Sequence, residues 1–228
     1  ACWRDTMIQM IQSLPRVLRS SAAGRARSAG RCARQVRCHA SEPLRSHGGV
    51  NVGMLAGAIK ARVVQGPCAL DAVGPAAQLK ALKAMVFASS YLEDSQPGLK
   101  VAAEPTFERV PATADLPETS KVRFFLCLVP APRFEESTDL RFSRDTNPGI
   151  EAAKLAQRMK LQGSATLSGM GAVPVSKAIK SVIIARRYLE AQLGEDVLLV
   201  SPGTQVLRTG QEDAVRLLLA CMRGPKKK

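Results

Sequence analysis

Apolar residues at Ala152, Leu155, Ala156 and Met159 keep the i, i+3, i+4, i+7 spacing of a helix that buries one face. Ahead of them Asn147 can cap the helix with its side chain, Pro148 suits the first helical position, and Gly163 stands where the helix should stop. A short strand, Leu140 to Ser143, precedes this helix and another, Ala165 to Met170, follows it. The tight turn Gly169-Met170-Gly171 leads into a longer helix in which Val175, Ala178, Ile179, Val182 and Leu189 face inward. On its outer side Lys177, Lys180 and Arg187 fall within about 80° of one another. Two closing strands, Val197 to Val200 and Val215 to Met222, complete the order β-α-β-α-β-β.

That order recurs upstream. Val52, Leu55, Ala56 and Ile59 form a helix closing near Gly66, Cys68 to Val73 a strand, and Gly74 the turn into a second helix. Leu99 to Ala103 and Val122 to Val129 close the unit, while its first strand is poorly marked. The recurrence extends to residue identity: Leu70, Gly74, Lys80, Ala81, Lys83, Ala88, Tyr91, Leu92 and Glu93 return 97 positions later as Leu167, Gly171, Lys177, Ala178, Lys180, Ala185, Tyr188, Leu189 and Glu190. Gln65-Gly66 likewise returns as Gln162-Gly163. A period this long exceeds that of solenoid repeats, so each copy reads as a small α+β domain of about 85 residues, enough for one sheet with helices on one face. The expected layout is 39–132 for the first copy, 133–140 for a linker carrying Glu135, Glu136 and Asp139, and 141–228 for the second. The pair reads as an intramolecular pseudo-dimer.

Charge divides the chain differently. From Met7 to Ser41 there are seven Arg (Arg16, Arg19, Arg25, Arg27, Arg31, Arg34 and Arg37) and no Asp or Glu, among many Ser, Ala and Gly. This composition suits an organelle transit peptide over 1–38, unfolded for import, with Val36-Arg37-Cys38 before His39-Ala40 as a plastid-type cleavage context. A basic arm retained for nucleic acid is one alternative, and a mitochondrial address is another. The formal charge of +14 falls to +7 once 1–38, with 8 basic and 1 acidic side chains, is set aside. Most of the excess lies in the second copy: 47–133 holds 9 basic and 7 acidic residues, 141–228 holds 15 and 7 and ends in Lys226-Lys227-Lys228. Such a bias draws polyanions to one half of the molecule.

Parts for catalysis are missing. Cys2, Cys32, Cys38, Cys68, Cys127 and Cys221 show no C-x-x-C spacing, and the last three sit singly in strands as core-packing thiols. His39 and His47 are the only histidines; no H-E-x-x-H and no phosphate-binding glycine loop ending in G-K-S/T occurs. Gly169-Met170-Gly171 lacks the third glycine of a dinucleotide fingerprint. No apolar run approaches the roughly 18 residues of a membrane span. The expectation is a non-enzymatic protein without cofactor, metal, membrane contact or small-molecule substrate.

Gly74-Pro-Ala-Ala-Gln-Leu-Lys80-Ala-Leu-Lys83-Ala, with Ala56-Gly57-Ala58-Ile59 before it, resembles bacterial stage V sporulation protein S. Val173-Pro-Val-Ser176-Lys177-Ala178-Ile179 and Pro202-Gly203-Thr204-Gln205-Val206 are similar to the loop, helix and hairpin start of the Alba family of DNA- and RNA-binding proteins. The resemblance covers about 175 of 228 residues and implies two helices on a four-stranded sheet in each copy. It further implies a duplex grip by the loop before the first helix, the loop opening the second, and the closing hairpin. Carried over, these become Arg144 with Asn147, Ser176 with Lys177 and Lys180, and Arg208 with the turn Thr204 to Gln211; Arg187 joins from the outer stripe. The paired lysines usual in the Alba first loop are replaced by Ser143-Arg144-Asp145. In the first copy that loop is His47-Gly48-Gly49, and the hairpin carries Glu108, Asp115 and Glu118, so Lys80 and Lys83 there should bind weakly.

Lysines next to a glycine turn can meet successive phosphates without reading bases. The alternative is that Lys80, Lys83, Lys177 and Lys180 are ordinary solvated residues of a helix's outer face. The expected function is RNA or DNA binding in the plastid stroma, mainly through the second copy, with further self-association open. A structural or assembly subunit of a large plastid complex is the alternative. On the transit reading, chain recovered after import into isolated plastids should begin near His39 by N-terminal sequencing. Recovery of an uncleaved chain would overturn that reading.

Overall fold

The computed structural model describes residues 42–110, 119–134, 139–193, 198–208 and 213–224. The proposed transit segment, the acidic residues Asp115, Glu118, Glu135 and Glu136, the Arg208 side chain and the terminal lysines lie outside the described residues. Among the described residues are four helices and one eight-stranded sheet. In chain order they are β1 (Leu44–Ser46), α1 (Val52–Gln65), β2 (Cys68–Ala72), α2 (Pro75–Leu92), β3 (Leu99–Val110) and β4 (Thr119–Pro130). Next come β5 (Asp139–Phe142), α3 (Pro148–Gln162), β6 (Ser164–Gly169), α4 (Ala172–Leu193), β7 (Leu198–Arg208) and β8 (Asp213–Arg223).

Local chemistry accounts for the helix ends. Asn147 Oδ1 accepts from Gly149 N at 2.9 Å with Pro148 in the first turn, and Gly163 closes α3 in the left-handed region at φ 75°. In the first copy Asn51 caps α1, accepting from Met54 N at 3.1 Å. Asn51 stands 96 positions before Asn147, not 97. The buried residues agree, since Ala56, Ile59 and Val63 match Ala152, Leu155 and Met159 at that spacing. The ungapped offset therefore ends inside the first helix, where α3 has 15 residues against 14 in α1 and takes up the extra one in its last turn.

The strand order is β1-β2-β4-β3-β7-β8-β6-β5, so each half repeats the other in reverse and the halves meet along β3 and β7. The four strands of each copy are thus the two halves of a single sheet. The ladder between them has the antiparallel pair Ala103 with Val200. Both closing hairpins are longer than the sequence pattern indicates, β3 and β4 staying in register from Leu99 opposite Pro130 to Val110 opposite Thr119. Pro105 and Pro202 lie within strands, each two residues past the crossing pair. Val101 directs its N–H to Ser89 Oγ at 2.9 Å and its C=O to the Ser201 hydroxyl at 3.1 Å, away from β4. Pro105 shares that phase of the strand, so its missing N–H falls on the side where β3 runs free of a partner.

Alternate strand residues separate the faces. Leu70, Val101, Ala103, Phe124, Leu126, Leu167, Val200 and Leu219 pack with residues of all four helices into one core shared by both halves. On the opposite face Ala102, Cys127, Val129 and Leu199 form a small second cluster with Met222 against it. Cys68 and Cys221 are buried thiols as expected, whereas Cys127 is disulfide-bonded, a correction to the reading of it as a packing thiol. Phe134 of the linker lies on β7, where a Cβ added to Gly203 would come within 2.6 Å of the ring. That contact explains glycine in mid-strand.

The interface between halves is chemically uneven. Arg186 of α4 forms an ion pair with Glu104 of β3, its side chain 21% and that of Glu104 17% exposed. A 97-residue shift relates these to Ser89 and Ser201, which meet at Val101 instead. Pairing two first copies would leave Glu104 beside serine twice, and two second copies would do the same to Arg186. Halves expressed separately and mixed should therefore pair with each other in preference to themselves, as native mass spectrometry can count. Arg186→Ala in the whole chain should lower stability by about 1–3 kcal/mol, because a largely buried carboxylate loses its partner. Equal homotypic and heterotypic pairing would refute the role given to this ion pair.

Candidate phosphate-binding interface

The residues expected to meet phosphate divide into groups. Ser176 is 4% exposed, in the core side of the first turns of α4, and so stands outside any surface. Asn147 is exposed, but its side-chain oxygen is occupied in capping α3. Lys177 donates from Nζ to the backbone carbonyl of Arg144, tying α4 to the loop between β5 and α3. Lys80 makes the matching bond to the Val50 carbonyl at 3.1 Å, so this pair of lysines has a structural task in both copies. An ammonium has three donors, and one such bond leaves Lys177 able to meet an anion. Lys180, Arg187 and Lys83 are exposed on the outer helix faces, and Arg144 on its loop.

That loop is held by its own short side chains. Ser143 N donates to Thr146 Oγ1 at 2.8 Å, and Asp145 N to Ser143 Oγ at 3.3 Å. Together with the Lys177 bond they fix Arg144 beside the β6–α4 turn. Arg141 of β5, Arg144 and Arg216 of β8 line one pocket of about 720 Å³ with that turn, Gly169 to Gly171. No Asp or Glu lines it among the described residues. Gly171 has φ 84°, a conformation that favours glycine, where the chain enters α4.

Arg141 and Arg216 were not singled out from the sequence. Arg216 sits between Val215 and Leu217, and strand alternation alone could have marked it as outward; which residues surround it depends on register. It stands opposite Gln205. In the first copy Lys121 stands opposite Glu108 in the same way. Leu70 faces Phe124 and Leu167 faces Leu219, so β4 corresponds to β8 at a shift of 95, with Lys121 falling on Arg216.

The same position has opposite surroundings in the two halves. In the first, Lys121 Nζ lies 2.6 Å from Asp71 Oδ2 and 3.4 Å from Glu108 Oε2. Arg123 binds Asp71 from Nε at 2.7 Å and Nη2 at 2.9 Å, and Glu108 from Nη1 at 2.8 Å. Burial pushes the Asp71 carboxyl up, but the bonds and charges of Arg123 and Lys121 outweigh it and hold it below its usual value. In the second half Ser168 replaces Asp71, Gln205 replaces Glu108 and Leu218 replaces Arg123. Arg216 keeps the cation without either carboxylate.

Burial raises the Cys221 thiol to about 12, so it stays protonated at neutral pH. Among the described residues no group of three His, Cys, Asp or Glu could hold a metal. No helix there is long and apolar enough to cross a membrane.

The family model for stage V sporulation protein S matches residues 42–129 and again 138–221, so the chain belongs to that family and carries it in tandem. No curated protein matches the chain.

The Asp71 cluster makes a prediction about acid. A carboxyl held below its unfolded value, about 3.9, stabilises the fold above that pH and loses its contribution as pH falls through the lower folded value. Denaturant midpoints should thus drop below about pH 4 in the parent chain. Asp71→Asn should be less stable at pH 7 and flatter with acid. Parallel pH curves for the two would mean that the cluster contributes nothing.

Proposed function

We propose that this is a non-enzymatic nucleic-acid-binding protein that holds RNA or DNA by phosphate contacts, chiefly through its second copy, and that it works in a plastid. The observation that carries the reading is the Lys121 and Arg216 contrast: one copy neutralises its cation with Asp71 and Glu108, and the other presents its cation among Arg141 and Arg144. Lys177 stands next to this cluster, and Lys180 and Arg187 continue the positive charge along the exposed side of α4. The likeness of the second copy's loop, helix and hairpin to the Alba family supports the same surface. Contacts of this kind fix a strand by its backbone and discriminate little between sequences. The acid-free basic stretch from Met7 to Ser41 supports the plastid address.

A second reading, a subunit of a larger assembly, has its own support in Phe87 and Tyr91 of α2 and Tyr188 of α4, which are large and exposed. Binding of the chain to labelled oligonucleotides across a salt series separates the two. Replacing Lys177 and Lys180 with Ala should shallow the slope of log affinity against log salt by roughly one unit per lost contact, similarly for unrelated sequences. Replacing both with Glu should weaken binding further, and the same changes at Lys80 and Lys83 should do much less. Equal losses from both copies would show symmetric use of charge, and no binding by the parent chain would leave the assembly reading.

A further inference from the structure

We infer that the outer side of α2 and α4 binds a single-stranded nucleic acid, whose bases stack on Phe87, Tyr91 and Tyr188 while Lys83, Lys180 and Arg187 meet its phosphates. This names the kind of strand that the function proposed above would take, and it rests on that reading. The two helices pack on each other over the sheet, so their outer sides make one surface. Each of the three rings is between 43% and 47% exposed, which leaves about one ring face to solvent. The chain has two tyrosines, and both stand here, at the same place in the two copies. No Asp or Glu occurs from Pro75 to Leu92 or from Ala172 to Leu189, so both helices are cationic along the length that carries the rings.

The copies divide the chemistry between them. At positions 97 apart, Phe87 and Ser90 of α2 stand where α4 has Ile184 and Arg187, so one helix gains a ring and the other a cation. Phe87 and Tyr91 are one turn apart, about 6 Å along the helix axis. Tyr188 borders a shallow groove with Ala153, Ala156 and Lys160 of α3. Its counterpart Tyr91 reaches α1, where a Cβ added to Gly53 would lie 3.8 Å from the tyrosine hydroxyl. Small neighbours let each ring settle on the next helix, which orients it before a base arrives. A duplex keeps its base faces inside its own stack, whereas a single strand can lay them on aromatic side chains. A protein partner suits the surface less well, because Lys83, Lys180 and Arg187 interrupt the rings and covering a cation without an anion is costly. A strand brings a phosphate with every base.

The test uses the whole chain with Trp3→Phe, so that emission comes from Tyr91 and Tyr188, and two probes: a single-stranded oligonucleotide and the duplex of the same sequence. The single strand should quench the tyrosine emission and bind more tightly than the duplex. Tyr91→Leu and Tyr188→Leu should each weaken the single strand roughly five- to a hundredfold and leave the duplex nearly unchanged. Phe87→Leu should act in the same direction. Tyr91→Phe and Tyr188→Phe should keep the affinity, since stacking uses the ring and not the hydroxyl, and their binding guards against misfolding as the cause of a loss. Leucine retains the apolar bulk that a protein partner would bury. Full single-strand affinity in the Leu variants would therefore overturn the stacking site and leave the rings to protein contact. A preference for the duplex would overturn it too, and in either case binding that falls with Lys177 and Lys180 would still uphold the proposed function. If neither oligonucleotide binds, both the site and that function fail.

Discussion

Everything in this molecule hangs on the meeting of β3 and β7. A sheet of four strands with an exposed inner edge is a template for aggregation, and here the edge of each copy is closed by the other. The ladder at the meeting point is short, so backbone bonds alone hold it weakly. What makes the junction firm is the continuous apolar layer beneath it, where α2 and α4 pack on each other and reach across to strands of the opposite half. Pro105 and Pro202 set the limit of the pairing, because a strand lacking that N–H cannot extend the ladder in that phase. The strands are then free to diverge into two long hairpins on either side of the junction.

Divergence of the copies falls where symmetry would otherwise be neutral. At the junction a serine pair in one place is an Arg186 and Glu104 ion pair in the other, which favours the heterotypic arrangement that a single chain provides. On the opposite sheet face one copy has an internally satisfied cluster of Asp71, Glu108, Lys121 and Arg123. The other has exchanged its carboxylates for Ser168 and Gln205 and gathered arginines at the neighbouring turn. A duplicated fold can thus surround one position with carboxylates in one copy and with uncharged side chains in the other without altering the backbone plan.

Features governed by neighbours in sequence were legible in advance. The Asn147 and Pro148 start of α3, its Gly163 stop and the inward faces of the long helices follow from bond geometry within a few residues. Strand lengths were underread because the ladder continues where polar residues such as Glu108 and Thr204 alternate with apolar ones, and the pairing partner supplies what the pattern lacks. The cap at Asn51 was missed because a constant offset of 97 hides a match lying at 96. Ser176 read as a surface residue by its place in a motif, but the helix turns it inward. Lys177 was recognised as cationic; that it also braces a loop depends on a carbonyl 33 residues away in the chain.

By itself the sequence determined the duplication, the alternation of helix and strand and the greater basic charge of the second copy, since each is a property of residue order or of counts. It could not decide that two half-sheets fuse into one, because edge pairing joins β3 to β7 across about a hundred residues and leaves only a faint pattern in either strand. Nor could it decide which charges are neutralised. Lys121 and Arg216 look alike along the chain, and only the register that brings Asp71 and Glu108 to one, and Ser168 and Gln205 toward the other, separates a cation beside two carboxylates from one beside uncharged side chains. Electrostatic energy falls with distance in space, and distance in space is what tertiary folding sets.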